Sequence, residues 1–210
     1  MGLLLIEQAF NGLQFGVMLF LIAAGLTLVF GIMDLVNLSH GSLVMVGAYL
    51  ATTLIEWTGS FILGILLALP STFLVGVVVE IVVLRTLYER DHLDQVQATF
   101  GLILFFNELI RIIWGPASLY SGLPESISGH VEILPGVPYP AFRLLIILVG
   151  LLVALLIYFI VARTKLGMLI RAGASNREMA GALGVNIRML FTLVFGLGAS
   201  FAGLAGMMLG

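Results

Sequence analysis

The chain has 210 residues, of which 61% are hydrophobic and 10% charged, and its mean hydropathy is +1.20. Soluble domains are about 45–50% apolar and about 25% charged, so this composition excludes an ordinary soluble fold and indicates an integral membrane protein. The net charge of −2 gives no reason to expect a nucleic-acid partner. Because the sequence contains no cysteine, disulfides, thiol nucleophiles and thiolate metal sites are also excluded.

Six hydrophobic segments are candidate membrane helices, since a spanning helix needs about 20 mostly apolar residues. In chain order they are Phe10–Met33, Ser42–Ile55, Phe61–Leu84, Gln95–Trp114, Arg143–Ala162 and Met189–Gly210. The second segment is short for a complete span. It either extends backwards through Leu35 and Leu38 or forms a broken or re-entrant helix. The pattern predicts one domain of the all-α class, a polytopic transmembrane helix bundle.

Positive charge is concentrated in two of the connecting segments. Arg85–Asp94 carries two arginines and Arg163–Arg188 carries five Lys or Arg residues, whereas Gly115–Phe142 carries none. Because Lys and Arg favour the cytoplasmic side of a membrane, we expect the two basic segments to be cytoplasmic and Gly115–Phe142 to be outside. If Ser42–Ile55 crosses the membrane fully, the N-terminus is outside as well.

A polar stretch, DLVNLSHGS, separates the first two segments and contains Asn37, Ser39 and His40. Polar groups at membrane depth are costly, so they tend to face a protein interior or a water-filled path. Gly41 is expected to allow a break in the helix, which would free backbone groups to meet a substrate. The alternative is a short solvated turn between two spans, without a functional role.

Two opposite charges, Glu108 and Arg111, lie three residues apart inside the segment Gln95–Trp114. This spacing places them on one helical face. An isolated charge in lipid is costly, whereas a pair that faces the bundle is tolerated. We therefore predict a structural intramembrane pair.

The stretch RAGASNREMAGALGVNIRML interrupts the apolar sequence before the last segment. Ser175 and Glu178 fit the capping-box pattern that begins a helix, and Gly184 is placed to end it. Ala180 and Gly181 give this short helix little side-chain bulk, which would let the backbone of another protein approach closely. The alternative is a plain cytoplasmic loop that retains positive charge.

Two parts of the chain resemble the permeases of ABC importers for branched-chain amino acids. The run from Arg163 to the end is similar to their coupling-helix region, in which a cytoplasmic Glu-Ala-Ala-like loop ends in Gly and docks on the ATPase subunit. Met179 stands where the broader importer pattern has its first alanine. The resemblance implies that the ATPase is contacted by Glu178, Ala180, Gly181 and Gly184.

The second resemblance lies in GLTLVFGIMDLVNLSHGSLVMVGAYLA, near the front of the chain. The family pattern is a Gly-rich span, then Asn-Leu-(Ala/Ser)-His-Gly, then Gly-Ala-Tyr. The matching residues here are Asn37, Leu38, Ser39, His40 and Gly41, followed by Gly47, Ala48 and Tyr49. This resemblance implies that the substrate path includes Asn37, Ser39, His40 and Gly41.

The resemblance also implies the context in which the chain works. It indicates a non-enzymatic permease subunit of the bacterial cytoplasmic (inner) membrane, in contact with lipid, with residues 171–188 as a cytoplasmic coupling loop. Expected partners are two cytoplasmic ATPase subunits, a second homologous permease, and an extracytoplasmic substrate-binding protein that docks partly on Gly115–Phe142. Expected substrates are branched-chain or related small amino acids, while urea and short amides remain open. Because family members continue further, we expect the chain to lack their C-terminal spans.

The sequence also bears on other function classes. The sequence contains no Walker phosphate loop, HExxH motif or GxSxG motif, so we expect no cofactor, no metal site and no catalytic residues. A stand-alone ion-coupled secondary transporter or channel remains open, with a charge path formed by Asp34, His40, Glu108 and Arg111. A membrane scaffold without transport is a third possibility.

Overall fold

The computed structural model describes residues 2–117, 128–134 and 137–209, and these ranges form eight α-helices, a short 3₁₀ helix and one β-hairpin. The helices are α1 (Gly2–Met33), α2 (His40–Thr58), α3 (Phe61–Val82), α4 (His92–Trp114), α5 (Ala141–Arg163), α6 (Lys165–Ser175), α7 (Arg177–Ala182) and α8 (Ile187–Leu209). The 3₁₀ helix, Leu84–Leu87, follows α3. Between α4 and α5, β1 (His130–Leu134) pairs antiparallel with β2 (Val137–Pro140). The predicted all-α, polytopic class is confirmed, and the hairpin is an addition that the sequence pattern did not indicate.

Five helices in the described ranges are long and apolar enough to cross a membrane, namely α1, α3, α4, α5 and α8. They correspond to five of the six predicted segments. The remaining one, the second predicted segment, lies in α2, which has 19 residues and is not among these five but packs against α3, α4 and α8. Gly210, the last residue of the sixth predicted segment, lies outside the described residues.

The two ends of the bundle differ in charge and in structure. At one end, here called the hairpin end, Asn11 Oδ1 accepts hydrogen bonds from the hydroxyl of Tyr139 at 3.1 Å and from Nη1 of Arg143 at 2.7 Å. At the other end, Arg177 pairs with Asp34 and Arg85 pairs with Glu80. We call this second end the basic end, because it carries Arg85, Arg90, Arg163, Lys165, Arg171, Arg177 and Arg188.

Helix α8 lies at the centre of the bundle, and 72% of its apolar window is buried. Its small residues allow close approach of three neighbouring helices. A Cβ on Gly198 would lie 2.9 Å from the Gly25 oxygen in α1, and a Cβ on Gly203 would lie 2.6 Å from Cγ2 of Thr72 in α3. Gly206 in turn packs on the backbone of α2. Small residues permit such backbone contacts in lipid, where packing drives helix association.

Candidate functional site

The first helix ends at a break that the bundle encloses in part, since Asp34 and Leu38 are exposed. Asp34 has φ 49° and donates its N–H to the Phe30 oxygen at 3.0 Å. Asp tolerates this left-handed conformation better than most residues. From Asp34 to Ser39 the chain is not helical, and we call these residues the linker. Leu35 and Ser39 are fully buried, so the linker is not the solvated turn considered above.

The expectation that Gly41 itself breaks the helix is wrong. Gly41 lies in the first turn of α2 and does not have a positive φ. The helix is already broken before it, because Asp34 adopts the left-handed conformation and the linker stays non-helical up to Ser39. Gly41 is nevertheless exposed, and no atom would lie within 4 Å of a Cβ added there. The first turn of α2 therefore has one open side.

Helix α2 begins deep within the bundle. Nε2 of His40, its first residue, lies 3.2 Å from the Ile22 oxygen in α1. Ile22 is midway along α1 between Asn11 at the hairpin end and Met33 at the basic end, about 16 Å from each at about 1.5 Å per residue. The linker thus returns from the basic end to the middle of the bundle before α2 starts. The second predicted segment, Ser42–Ile55, therefore lies in a continuous helix that begins inside the bundle, after a break in the chain.

Side chains of α4 hydrogen-bond the linker backbone at Val36. Val36 donates its N–H to Oε1 of Gln95 at 3.3 Å, and its oxygen accepts from the Thr99 hydroxyl at 3.4 Å. Non-helical backbone at membrane depth requires such partners, because lipid offers none. Sequence reasoning did not single out Gln95 and Thr99. The sequence feature that could have indicated them is the four-residue spacing of these two polar side chains, which places both on one face of α4.

Two polar atoms around the start of α2 are buried and unpaired. Asn37 Oδ1 accepts the N–H of Ser39 at 3.0 Å and its hydroxyl at 2.7 Å, which identifies that atom as the oxygen. Asn37 Nδ2 is then a donor, and it has no hydrogen-bond partner in the described ranges. His40 Nδ1 has none there either. Because Nε2 faces a carbonyl oxygen and must carry the proton, Nδ1 is an acceptor.

The short helix of the 171–190 stretch begins at a different residue from the one predicted. Ser175 is the last residue of α6, so it cannot cap α7. Asn176, with φ −157° and ψ 101°, is the first residue in an extended conformation, and its side chain accepts the N–H of Met179 at 2.9 Å. Glu178 lies in the first turn of α7 and is exposed. The capping box of Ser175 and Glu178 is therefore wrong.

The end of α7 is the one that the sequence predicts. Gly184 has φ 90° and donates its N–H to the Gly181 oxygen at 3.0 Å. Val185 donates to the Ala180 oxygen at 3.1 Å, and the two bonds together form a Schellman ending. Such an ending fixes the direction in which the chain leaves α7 towards α8.

The surface of α7 is largely uncovered by the rest of the described chain. Ala180 is buried, but Met179 and Leu183 are 59% and 79% exposed. Glu178 and Gly181 are also exposed, and a Cβ on Gly181 would make only an ordinary contact, 3.8 Å from Cγ1 of Ile187. The helix therefore presents apolar side chains beside small residues at the basic end.

A buried carboxylate ties α8 to α3 near the same end. Glu80 is fully buried, and its Oε2 accepts from Nη2 of Arg85 at 3.0 Å and from the Thr192 hydroxyl at 2.7 Å. The Tyr88 hydroxyl also donates to Glu80. Burial, and then this hydrogen bond to Glu80, raise the pKa of Tyr88 well above its usual range. Thr192 belongs to α8 and Glu80 to α3, so this hydrogen bond joins the two helices directly.

Glu108 and Arg111 form a pair on the outer surface of α4. Their side chains approach to 3.9 Å and are 67% and 68% exposed. They face away from the other described helices of this chain. In the described residues neither of them bonds to His40, and Asp34 pairs with Arg177 at the basic end. The charge path considered for an ion-coupled transporter is therefore not assembled within the described part of the chain.

Comparison with known proteins identifies the family. The family model for the permease component of the branched-chain amino acid transport system matches residues 8–210. The chain belongs to this permease family. It is therefore a multi-pass membrane protein of a transport system, as the two resemblances implied.

Individual relatives support the same assignment. The permease is 29% identical over 218 residues to the high-affinity branched-chain amino acid transport system permease protein BraD of Pseudomonas aeruginosa, covering 98% of this chain and 70% of the relative. It is 28% identical over 219 residues to the corresponding protein LivH of Escherichia coli K12, with the same coverage. A probable LivH of Methanocaldococcus jannaschii is 28% identical over 204 residues, or 90% of this chain and 61% of the relative. No solved structure gives a significant match.

Proposed function

We propose that the permease forms the translocation path of an ATP-driven, binding-protein-dependent importer for branched-chain or related small amino acids. The observation that carries the proposal is the contact between Arg177, the first residue of the exposed helix α7, and Asp34, the exposed first residue of the linker. This contact joins a surface suited to docking with a polar break in the bundle. The printed names of BraD and LivH support the substrate class.

Helix α7 is the proposed docking element for two cytoplasmic ATPase subunits. Exposed apolar side chains outside the membrane-spanning helices, here Met179 and Leu183, are typical of a protein interface. The residues proposed to contact the ATPase are Glu178, Gly181 and Gly184. Ala180, which the resemblance also implied, is buried, and its N–H and oxygen are bonded to Asn176 and Val185, so it supports this surface from beneath. ATP hydrolysis would take place on those separate subunits, and the basic end would face the cytoplasm.

The linker and the first turn of α2 are the proposed substrate path. Asn37, Ser39 and His40 bring polar groups to the middle of the bundle, and Gly41 leaves one side open. Polar groups at this depth mark substrate or ion pathways in membrane proteins. A path through the bundle would be opened and closed by movements of the linker, which has no regular hydrogen-bonded helix to hold it.

A second homologous permease is the proposed neighbour of α4. The exposed pair Glu108–Arg111 lies on a membrane-crossing helix, where lipid is a costly environment for charge. A protein partner on this face would remove the pair from lipid. Because the chain contains no cysteine, Glu108→Cys gives a single labelling site. Maleimide labelling there should fall when the second permease is co-expressed, whereas Leu155→Cys, on the exposed face of α5, should be unaffected.

The hairpin end is the proposed docking side for an extracytoplasmic binding protein. The predicted docking segment Gly115–Phe142 contains the hairpin, and residues 118–127 and 135–136 of it lie outside the described residues. Transport would then run from the hairpin end to the basic end across the cytoplasmic membrane.

Uptake into proteoliposomes that contain the complete complex tests the proposal. We expect [³H]leucine uptake that needs ATP and loaded binding protein, and that persists when ionophores collapse the proton and sodium gradients. Complexes trapped with a non-hydrolysable ATP analogue provide the control. Uptake that stops with the ion gradients, rather than with ATP, would contradict the proposal. If the complex takes up urea but no amino acid, only the proposed substrate class is refuted.

A further inference from the structure

The first turn of α2 is a helix N-terminus that this chain does not cap. An α-helix begins with N–H groups that have no partner within the helix, and it carries a partial positive charge at that end. Ser39 occupies the N-cap position, but its side chain makes no capping bond. Its hydroxyl instead donates to Oδ1 of Asn37 at 2.7 Å. The positive end of a 19-residue helix therefore lies uncapped near the middle of the bundle.

The two unpaired polar atoms described above lie at this same turn. Nδ2 and Oδ1 of Asn37 are bonded to the same carbon, and Oδ1 lies 3.0 Å from the backbone nitrogen of Ser39, the N-cap residue. The Nδ2 donor therefore lies close to the N-cap. Nδ1 of His40 belongs to the first residue of α2. Both side chains are more than nine-tenths buried. An unpaired buried polar group costs about 1–3 kcal/mol, so a donor and an acceptor left together here point to a ligand with complementary groups.

Gly41 provides the side from which such a ligand can approach the helix backbone. The glycine is exposed and has open space where a side chain would stand. A larger residue at this position would cover the N–H groups of the first turn. Glycine in contact with a ligand is a common device for close approach of backbone.

We propose that the first turn of α2, with Asn37 and His40, binds the polar head of an amino acid in transit. The α-carboxylate accepts hydrogen bonds from the N–H groups of His40 and Gly41 and from Nδ2 of Asn37. The N–H of Ser42 does not take part, because it donates to the Ser39 oxygen at 3.0 Å. The α-ammonium group donates to Nδ1 of His40. This inference rests on the proposed function and adds to it the atoms that recognise the substrate.

The chemistry of the turn favours an amino acid over a neutral amide. A helix N-terminus attracts negative charge, and a carboxylate satisfies it better than the carbonyl oxygen of urea. Broken helices with their positive ends at mid-membrane are used in this way by other transporters, because a zwitterion is costly at that depth unless both charges are paired.

Two variants of the complete complex test the site against a matched control. Asn37→Asp keeps the oxygen that accepts from Ser39 but replaces the donor by an acceptor that repels a carboxylate. Gly41→Leu covers the open side of the turn without a clash with the chain. Gly16→Leu also enters open space, on α1, and serves as the control. We expect both site variants to lose about tenfold or more of leucine uptake, since a hydrogen bond to a charged group is lost. The control should transport normally, and all three variants should be recovered from mild detergent in complex with their ATPase subunits in the wild-type amount.

Ligand competition gives a second measurement that does not depend on transport. [³H]leucine binding to the permease–ATPase complex, without binding protein, is competed with leucine, 3-methylbutylamine or 4-methylpentanoate. The amine lacks the carboxylate and the acid lacks the ammonium group, so we expect each to compete at least about tenfold more weakly than leucine.

The outcomes separate this inference from the proposed function. If wild-type complexes transport leucine and both site variants do so at the same rate, the unpaired atoms hold an ordered water only and the inference is wrong. Equal competition by the amine, the acid and leucine would also overturn it. If wild-type complexes transport no amino acid at all, the proposed function fails first, and the inference falls with it.

Discussion

Nη2 of Arg177 lies 3.8 Å from Oδ2 of Asp34, so the first residue of α7 is paired with the residue that follows α1. The two side chains are 42% and 65% exposed, and exposed pairs of this kind contribute little to stability. The position of the pair is more informative than its strength. Asp34 begins the linker that holds Asn37 and His40, so a displacement of α7 has a short route to the centre of the bundle.

The first prediction concerns this route. Asp34→Asn removes the charge while keeping a residue that tolerates φ 49°, and Arg177→Gln removes the opposite charge. We expect each variant to lower leucine uptake per ATP hydrolysed several-fold, because α7 would move without the linker. The double variant should be no worse than either single variant, since both remove the same contact. Uptake and phosphate release are measured on the same proteoliposomes.

The pattern of the three variants determines the interpretation. Losses that multiply in the double variant would show that Asp34 and Arg177 act separately, for example if Arg177 contacts the ATPase directly. Lys165→Gln, a neutralised basic residue on α6 outside the pair, is the control and should leave the ratio unchanged.

The second prediction concerns docking on α7. Gly181→Arg places a long charged side chain on the exposed surface of the helix, where its Cβ makes only an ordinary contact within this chain. We therefore expect the variant to insert and fold normally but to lose the ATPase subunits on purification in mild detergent. Ala174→Arg, exposed on α6, is the matched control and should retain them. If ATPase co-purifies with Gly181→Arg in the normal amount, α7 is not the docking helix.

The helices could largely be predicted from the sequence, because apolar runs of this length have few alternatives in lipid. Gly184 was predictable for a local reason, since a helix that ends in the left-handed conformation favours glycine. The N-cap of α7 could not be predicted in this way. Ser175 and Asn176 are both good N-cap residues, and the choice between them depends on where α6 ends. That end is set by tertiary packing as well as by local sequence.

The sequence predicts that a polar stretch forms the site, but it does not predict how that stretch is folded. The motif around Asn37 and His40 indicated a functional segment, yet the position of the break depends on Asp34 adopting φ 49° and on Gln95 and Thr99 supporting Val36. These contacts join residues about 60 positions apart. Periodicity within one segment carries no information about such pairs. The same holds for Thr192, which completes the partners of Glu80 from a distant helix.

The third prediction concerns the Glu80 cluster. Glu80→Gln leaves the guanidinium of Arg85 without its counter-ion and places an amide where three donors meet. We expect a fall of several degrees in the thermal unfolding midpoint in detergent, because one partner of a buried pair is removed. Thr192→Val removes the hydroxyl that donates to Glu80 and accepts from Nη2 of Arg85. Each of these hydrogen bonds is worth about 1 kcal/mol, and because the ion pair remains, the fall should be smaller. Equal midpoints for Glu80→Gln and wild type would show that the cluster does not hold α8 to α3.

The fourth prediction concerns the crossing of α8 with α2. A Cβ on Gly206 would meet backbone atoms of Val44, with the carbonyl carbon only 2.8 Å away, and backbone cannot move aside as a flexible side chain can. Gly206→Ala should therefore cost about 1–3 kcal/mol through forced separation of the helices. Gly101→Ala, on α4, meets open space and should be neutral or slightly stabilising, since alanine is the better helix former. The thermal midpoints of both variants, measured on a fluorescent fusion in detergent, check the prediction. A Gly206→Ala midpoint equal to that of Gly101→Ala would mean that the two helices do not cross as closely as this packing requires.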